Sequence, residues 1–186
     1  MPSKRVRVTQ LVRGTRDTVF RVFSDPKVAR KWAPEGCRMV SFQADMRVGG
    51  AFRQAMRCEG DRHVAHGEYR KIVPDEEVVF THQWEEERPV ETLVTIKFKV
   101  AKGGTEIVLS QTGFKDAAVA RGHQEGWSSA LASFAKVLAA ERRKAPVSQR
   151  RTRPPGESPR RTGASDGFAR YRRATSRRNT APYVKP

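Results

Sequence analysis

A long segment with helical periodicity constrains this 186-residue chain more than any other stretch. Its large apolar side chains recur at the i, i+4, i+7 and i+11 positions of one helical face. They are Trp127, Leu131, Phe134 and Leu138. Asp116 precedes the pattern as an N-cap and Pro146 follows it, so the sequence predicts one amphipathic helix over residues 116–143. An isolated helix cannot bury such a face, and the rest of the chain must therefore cover it.

Upstream of this helix the apolar period changes to two, which is typical of strands. Seven segments show this alternation, and Lys102-Gly103-Gly104 is a hairpin signal between the last two. The segments are 5–13, 38–42, 51–57, 63–73, 77–85, 91–100 and 105–112. Two short helices are predicted after the first strand, the second opened by Pro26. Strands joined by short connections imply an antiparallel sheet, so the predicted fold class is α+β, with the sheet curled around the C-terminal helix.

Basic residues are concentrated at the C-terminal end of the chain. The net charge is +17, and 13 of the 37 Lys and Arg residues follow residue 142, where only two acidic residues oppose them. Pro and Gly are scattered there among Ser, Thr and Arg, with no apolar period to offset the entropy of ordering. We therefore predict a folded domain over residues 1–142 and a disordered, Arg/Pro-rich basic tail over residues 143–186.

The tail also predicts weak, non-specific binding of nucleic acid or another anionic surface, because Arg-rich segments attract polyanions. The residues expected to carry it are Arg150, Arg151, Arg160, Arg161, Arg172, Arg173, Arg177 and Arg178.

The cysteines and the apolar content bear on location. Cys37 and Cys58 form neither a CxxC pair nor a secreted disulfide framework, so we expect two reduced, partly buried thiols. No window approaches the length of an apolar membrane span, and the N-terminus has no signal-like apolar region. We expect a cytoplasmic protein.

Short sequence motifs along the chain resemble those of a known family. They are Val19-Phe20, Asp25-Pro26, Trp32, Gly49-Gly50, Phe52, Gly67, Tyr69, Pro74, Gly103-Gly104-Thr105, Gly126-Trp127, Leu131 and Leu138. In order and spacing they resemble the activator of heat-shock-protein-90 ATPase homologue group of the START-like (SRPBCC) superfamily. The resemblance implies a helix-grip fold, in which a seven-stranded antiparallel sheet surrounds a long C-terminal helix with a cavity between them. The superfamily includes lipid and hormone carriers, polyketide cyclases and a chaperone co-factor domain.

Strand period and the implied fold together predict a ligand pocket, with His82 and Gln54 as its polar orienting groups. The predicted pocket residues are Trp32, Phe52, Gln54, Met56, Phe80, His82, Trp84, Phe98, Trp127 and Leu131. The alternative is that these side chains pack against one another as a solid core.

The leading functional hypothesis is a protein that binds a small hydrophobic or aromatic molecule without covalent chemistry. One alternative is a cyclase- or hydrolase-type enzyme that uses the same cavity with His82 or Glu68 as a base. Another is an interaction protein, either co-chaperone-like or polyanion-binding. His63 and His66 lie three apart on a predicted strand, hence on opposite faces, and cannot share a metal ion. We expect no catalytic residue, no metal and no cofactor, since no nucleophile elbow or phosphate-binding loop is present.

Overall fold

The computed structural model describes residues 4–85 and 90–144, which form seven strands and three helices. The strands are β1 (Val6–Val12), β2 (Cys37–Ala44), β3 (Ala51–Cys58), β4 (Asp61–Val73), β5 (Glu77–Trp84), β6 (Thr92–Ala101) and β7 (Gly104–Thr112). The helices are α1 (Arg16–Ser24), α2 (Pro26–Ala29) and α3 (Ala117–Lys144). The strands make one antiparallel sheet in the order β1-β7-β6-β5-β4-β3-β2. None of the three helices has a stretch long and apolar enough to cross a membrane.

The sheet has one apolar face because its strands alternate as the sequence predicts. In β1, Val6, Val8 and Val12 are buried, whereas Leu11 lies on the other face and is 54% exposed. β1 pairs with β7 from Val6 opposite Gln111 to Val12 opposite Thr105. β1 and β7, the first and last strands of this sheet in chain order, are therefore neighbours.

Two glycines fix local features of the sheet. Gly103 has a φ of 91° in the turn between β6 and β7, a backbone conformation that glycine adopts at little cost. Gly67 lies where β4 approaches β5 closely, and a Cβ atom there would lie 1.8 Å from the carbonyl oxygen of Thr81. Glycine is therefore required at residue 67 for packing reasons.

α3 lies across the apolar face of the sheet. The Asp116 carboxylate accepts hydrogen bonds from the backbone N–H groups of Ala118 and Val119, which satisfies free donors at the helix start. Leu131, Phe134 and Leu138 are almost fully buried in the core cluster. Burial of these three side chains contributes about 5–9 kcal/mol before entropy. The predicted α+β fold, a seven-stranded antiparallel sheet curled around a long C-terminal helix, is confirmed.

The expectation of two reduced thiols is wrong, because Cys37 and Cys58 form a disulfide. β2 and β3 pair in a register that places Cys37 directly opposite Cys58, with their Cα atoms 4.2 Å apart. Pairing across strands brings together two residues that lie 21 apart in sequence. The disulfide also removes the argument from reduced thiols that supported a cytoplasmic location.

Candidate ligand-binding cavity

A cavity of about 630 Å³ lies between the inner face of the sheet, the α1–α2 segment and the first half of α3. Its volume is in the range of small-molecule sites in proteins, roughly 300–1,000 Å³. Val119 and Gly122 of α3 line it and are exposed, so the cavity reaches the protein surface beside the start of that helix.

Aromatic and sulfur-containing side chains dominate the walls. All three tryptophans of the chain, Trp32, Trp84 and Trp127, line the cavity, as do three of its four methionines and the disulfide. Although 31% of the chain is charged, no Asp, Glu, Lys or Arg occurs among the described lining residues. The cavity is therefore an apolar compartment inside a strongly basic protein.

Small residues on α3 keep this space open. Gly122, Gly126 and Ala130 recur at every fourth position and all line the cavity, because residues four apart share a helical face. A Cβ atom added at Gly122 or Gly126 would meet no neighbouring atom within 4 Å. Further along the same helix the large residues Phe134 and Leu138 fill the core.

A hydrogen-bonded chain of polar side chains borders the cavity, with the buried amide of Gln111 at its centre. Gln111 Nε2 donates to Thr92 Oγ1 (2.7 Å), and Thr92 Oγ1 donates to the backbone carbonyl of His82 (2.7 Å). The amide oxygen of Gln111 accepts from Trp127 Nε1 at 2.6 Å. These contacts fix the orientation of the amide and hold the Trp127 indole against the sheet.

His123 extends this chain and is held in its neutral form. Its Nε2 lies 3.1 Å from Trp84 Nε1, and because an indole N–H only donates, Nε2 must accept. Nδ1 therefore carries the proton and donates to the Gln111 amide oxygen at 3.1 Å. Burial also lowers the pKa of His123 from its ordinary value, which favours the same neutral state.

His82 is more deeply buried and lacks such partners. Its ring lines the cavity, only 3% of the residue is exposed, and Nδ1 has no hydrogen-bond partner. Burial, helped by the neighbouring His123, lowers the pKa of His82 to about 3. The imidazole is therefore neutral at physiological pH and can either donate or accept a hydrogen bond.

The structure brings together most of the residues predicted as a pocket. Eight line the cavity: Trp32, Phe52, Gln54, Met56, Phe80, His82, Trp84 and Trp127. Phe98 and Leu131 lie in the adjacent core and are almost fully buried. The eight arginines predicted to bind polyanions lie outside the described residues.

The histidine and carboxylate candidates also divide into residues that line the cavity and residues that do not. His63 lines the cavity and His66 does not, while the Glu68 carboxylate accepts a hydrogen bond from Arg70 at 2.8 Å outside the lining. Among residues 4–85 and 90–144, no group of three or more His, Cys, Asp and Glu side chains could hold a metal ion.

Sequence reasoning missed several lining residues, among them the two glycines of α3, His123 and the disulfide. The glycines did leave a signal, since a repeat of small residues every four positions on a predicted core helix indicates unfilled space. The partners of His123 left none, because Trp84 and Gln111 belong to other elements.

A curled antiparallel sheet that encloses a cavity against its C-terminal helix defines a helix-grip protein. Residues 13–139 match the family described as Activator of Hsp90 ATPase homolog 1-like protein, and the chain belongs to this family. The family predicted from the sequence is thereby confirmed. No curated protein matches the chain.

Solved structures share the architecture. Protein CV1439 from Chromobacterium violaceum is 28% identical, with a TM-score of 0.66, and the match covers 74% of this chain and 98% of that one. An AHSA1 protein from Silicibacter pomeroyi is 26% identical, with a TM-score of 0.66 and coverage of 74% and 99%. DynU16, a protein of the dynemicin biosynthetic locus, is 19% identical, with a TM-score of 0.63 and coverage of 75% and 49%. This last likeness concerns the fold alone.

Proposed function

We propose that this protein binds a small hydrophobic or aromatic molecule in the cavity between the sheet and α3, without covalent chemistry. The observation that carries the proposal is a cavity of about 630 Å³ with aromatic walls and no charged side chain among its described lining residues. Binding of an apolar molecule in such a compartment is favourable, because the molecule and the walls are both removed from contact with water. The alternative of a solid core does not account for this space.

Binding is favoured over catalysis by the state of the side chains in the cavity. A general base works best with a pKa near the working pH, whereas burial lowers the pKa of His82 to about 3. Glu68, the other base candidate, points to Arg70 and does not line the cavity. The cyclase or hydrolase alternative therefore finds no support in either of its two base candidates. The co-chaperone-like and polyanion-binding alternatives stay predictions.

A titration of the full chain with the neutral dye N-phenyl-naphthylamine tests the proposal. Because all three tryptophans line the cavity, a bound dye will quench their emission and fluoresce itself. We expect saturable binding of one dye per chain, and competition by small aromatic or aliphatic molecules.

The control is the same titration after the protein has been unfolded in guanidinium chloride, which removes the cavity and should remove saturation. A dye signal that rises linearly with concentration in the native protein, or that survives unfolding unchanged, would refute the proposal.

A further inference from the structure

Three buried side-chain atoms in the described part of the chain have no hydrogen-bond partner. They are Ser24 Oγ, Trp32 Nε1 and His82 Nδ1. All three atoms belong to residues that line the cavity. Buried polar groups in folded proteins are nearly always paired, because leaving one unpaired costs its full desolvation. Because all three residues line one cavity, a bound molecule that reaches these atoms would supply the missing partners.

These groups lie toward two different ends of the cavity. The centroid of the His82 ring is 6.0 Å from that of Trp127, and the centroid of the Trp32 ring is 5.4 Å from that of Phe134. Trp127 and Phe134 lie seven residues apart on α3, which corresponds to about 10 Å along the helix axis. Ser24 belongs to the Trp32 end, since it follows Phe23, whose ring packs against Trp32.

The walls do not favour a charged molecule. The described lining residues offer no Asp, Glu, Lys or Arg as a counter-charge, and two of the three lining histidines, His82 and His123, have lowered pKa values. An ion moved from water into such a compartment would lose its hydration without compensation. Neutral oxygen atoms suit all three free groups, because an indole N–H donates, while a hydroxyl and a neutral imidazole can each donate or accept.

We infer that the cavity takes an elongated, uncharged molecule with an apolar middle and a hydroxyl or carbonyl oxygen at each end. One oxygen accepts from Trp32 Nε1 and pairs with the Ser24 hydroxyl, and the other pairs with the His82 imidazole. This inference rests on the proposed function and specifies the chemical class of its ligand.

Four matched probes test it by displacement of N-phenyl-naphthylamine from the full chain. They are biphenyl, para-hydroxybiphenyl, para,para′-dihydroxybiphenyl and biphenyl-para-carboxylate. We expect each hydroxyl group to tighten binding by about twofold to tenfold, the range for one added hydrogen bond. The carboxylate should bind at least about tenfold more weakly than the monohydroxy compound.

Two variants assign the ends. In Ser24→Ala and in His82→Phe, the dihydroxy probe should lose about the gain from one hydroxyl, measured as the ratio of its affinity to that of biphenyl in the same variant. A cooperative thermal unfolding transition shows that each variant is folded. Ser128→Ala is the matched control, because Ser128 is exposed on α3 and its hydroxyl donates to the backbone of Gln124.

Equal affinity of biphenyl and its two hydroxy derivatives would overturn this inference and leave the proposed function standing. Equal or tighter binding of the carboxylate would also overturn it. If the dye binds but Ser24→Ala and His82→Phe affect all neutral probes alike, two-ended recognition is wrong. Failure of the dye itself to bind would overturn the proposed function, and this inference with it.

Discussion

Replacing Gly126 with leucine should weaken ligand binding and at the same time stabilise the protein. Gly126 lines the cavity and a Cβ atom at this position meets nothing within 4 Å, so a larger side chain starts in open space. Glycine in a helix interior is about 0.8–1.0 kcal/mol less favourable than alanine, and leucine is close to alanine. The substitution should therefore raise the free energy of unfolding by about 0.5–1 kcal/mol, before any gain from packing against the cavity walls.

The expected loss of affinity follows from the position of the new side chain. Gly126 lies one turn from Gly122 and next to Trp127, so an isobutyl group there occupies the part of the cavity beside these two residues. We expect N-phenyl-naphthylamine to bind at least about tenfold more weakly, the effect of losing about 1.4 kcal/mol. Dye titration and thermal unfolding followed by circular dichroism measure the two quantities on the same sample.

Ala139→Leu is the matched control. It adds a leucine to the same helix at an exposed position that does not line the cavity, and should change neither dye affinity nor unfolding temperature appreciably. Wild-type dye affinity in Gly126→Leu would show that the dye binds elsewhere. A marked loss of stability would show that the space beside Gly126 is not open. Either result would refute the reasoning.

Three further outcomes are expected. Reduction of the Cys37–Cys58 disulfide should lower the free energy of unfolding by about 3 kcal/mol, from the entropy of a 21-residue loop, and identical denaturant midpoints with and without reductant would contradict this. Because the folded-state pKa of His82 is about 3 against an ordinary value of 6.5, the unfolded chain takes up this proton first as the pH falls. The contribution of this imidazole to the free energy of unfolding is complete above pH 6.5 and is lost as the pH falls toward 3. Between pH 7 and pH 5, His82→Phe should therefore lose about 2 kcal/mol less stability than the wild-type protein. Equal slopes of unfolding free energy against pH in the two proteins would argue against a buried neutral imidazole. Gly67→Ala should destabilise the fold by at least about 3 kcal/mol, since its Cβ would lie 1.8 Å from the Thr81 carbonyl oxygen, and a wild-type melting temperature would rule out that close approach.

The elements were predictable wherever apolar residues recur with a regular period. The stripe on α3 predicts a helix over residues 116–143, and the observed helix is Ala117–Lys144. The alternation in β1 likewise places Val6, Val8 and Val12 inside. In these segments local propensity and burial favour the same element, so a single sequence is sufficient to predict the helix or strand.

Pairings between elements were not predictable to the same degree, because register is a property of two strands together. Cys37 directly precedes the predicted strand 38–42 and Cys58 directly follows the predicted strand 51–57, and this placement at the outer ends of two successive strands is the signal that could have suggested their disulfide. The neutral state of His123 depends on an indole from β5 and an amide from β7. No pattern within α3 contains that information.

The pairing of β1 with β7 also governs when the sheet can be completed during synthesis. Val6 lies opposite Gln111, so the first strand leaves the ribosome about 100 residues before its partner exists. At about 5–20 residues per second, this delay lasts on the order of 5–20 seconds. During that time β1 is an unpaired strand with one apolar face. Docking of β1 is therefore a late, long-range step of folding, and aggregation competes with it most directly during this interval.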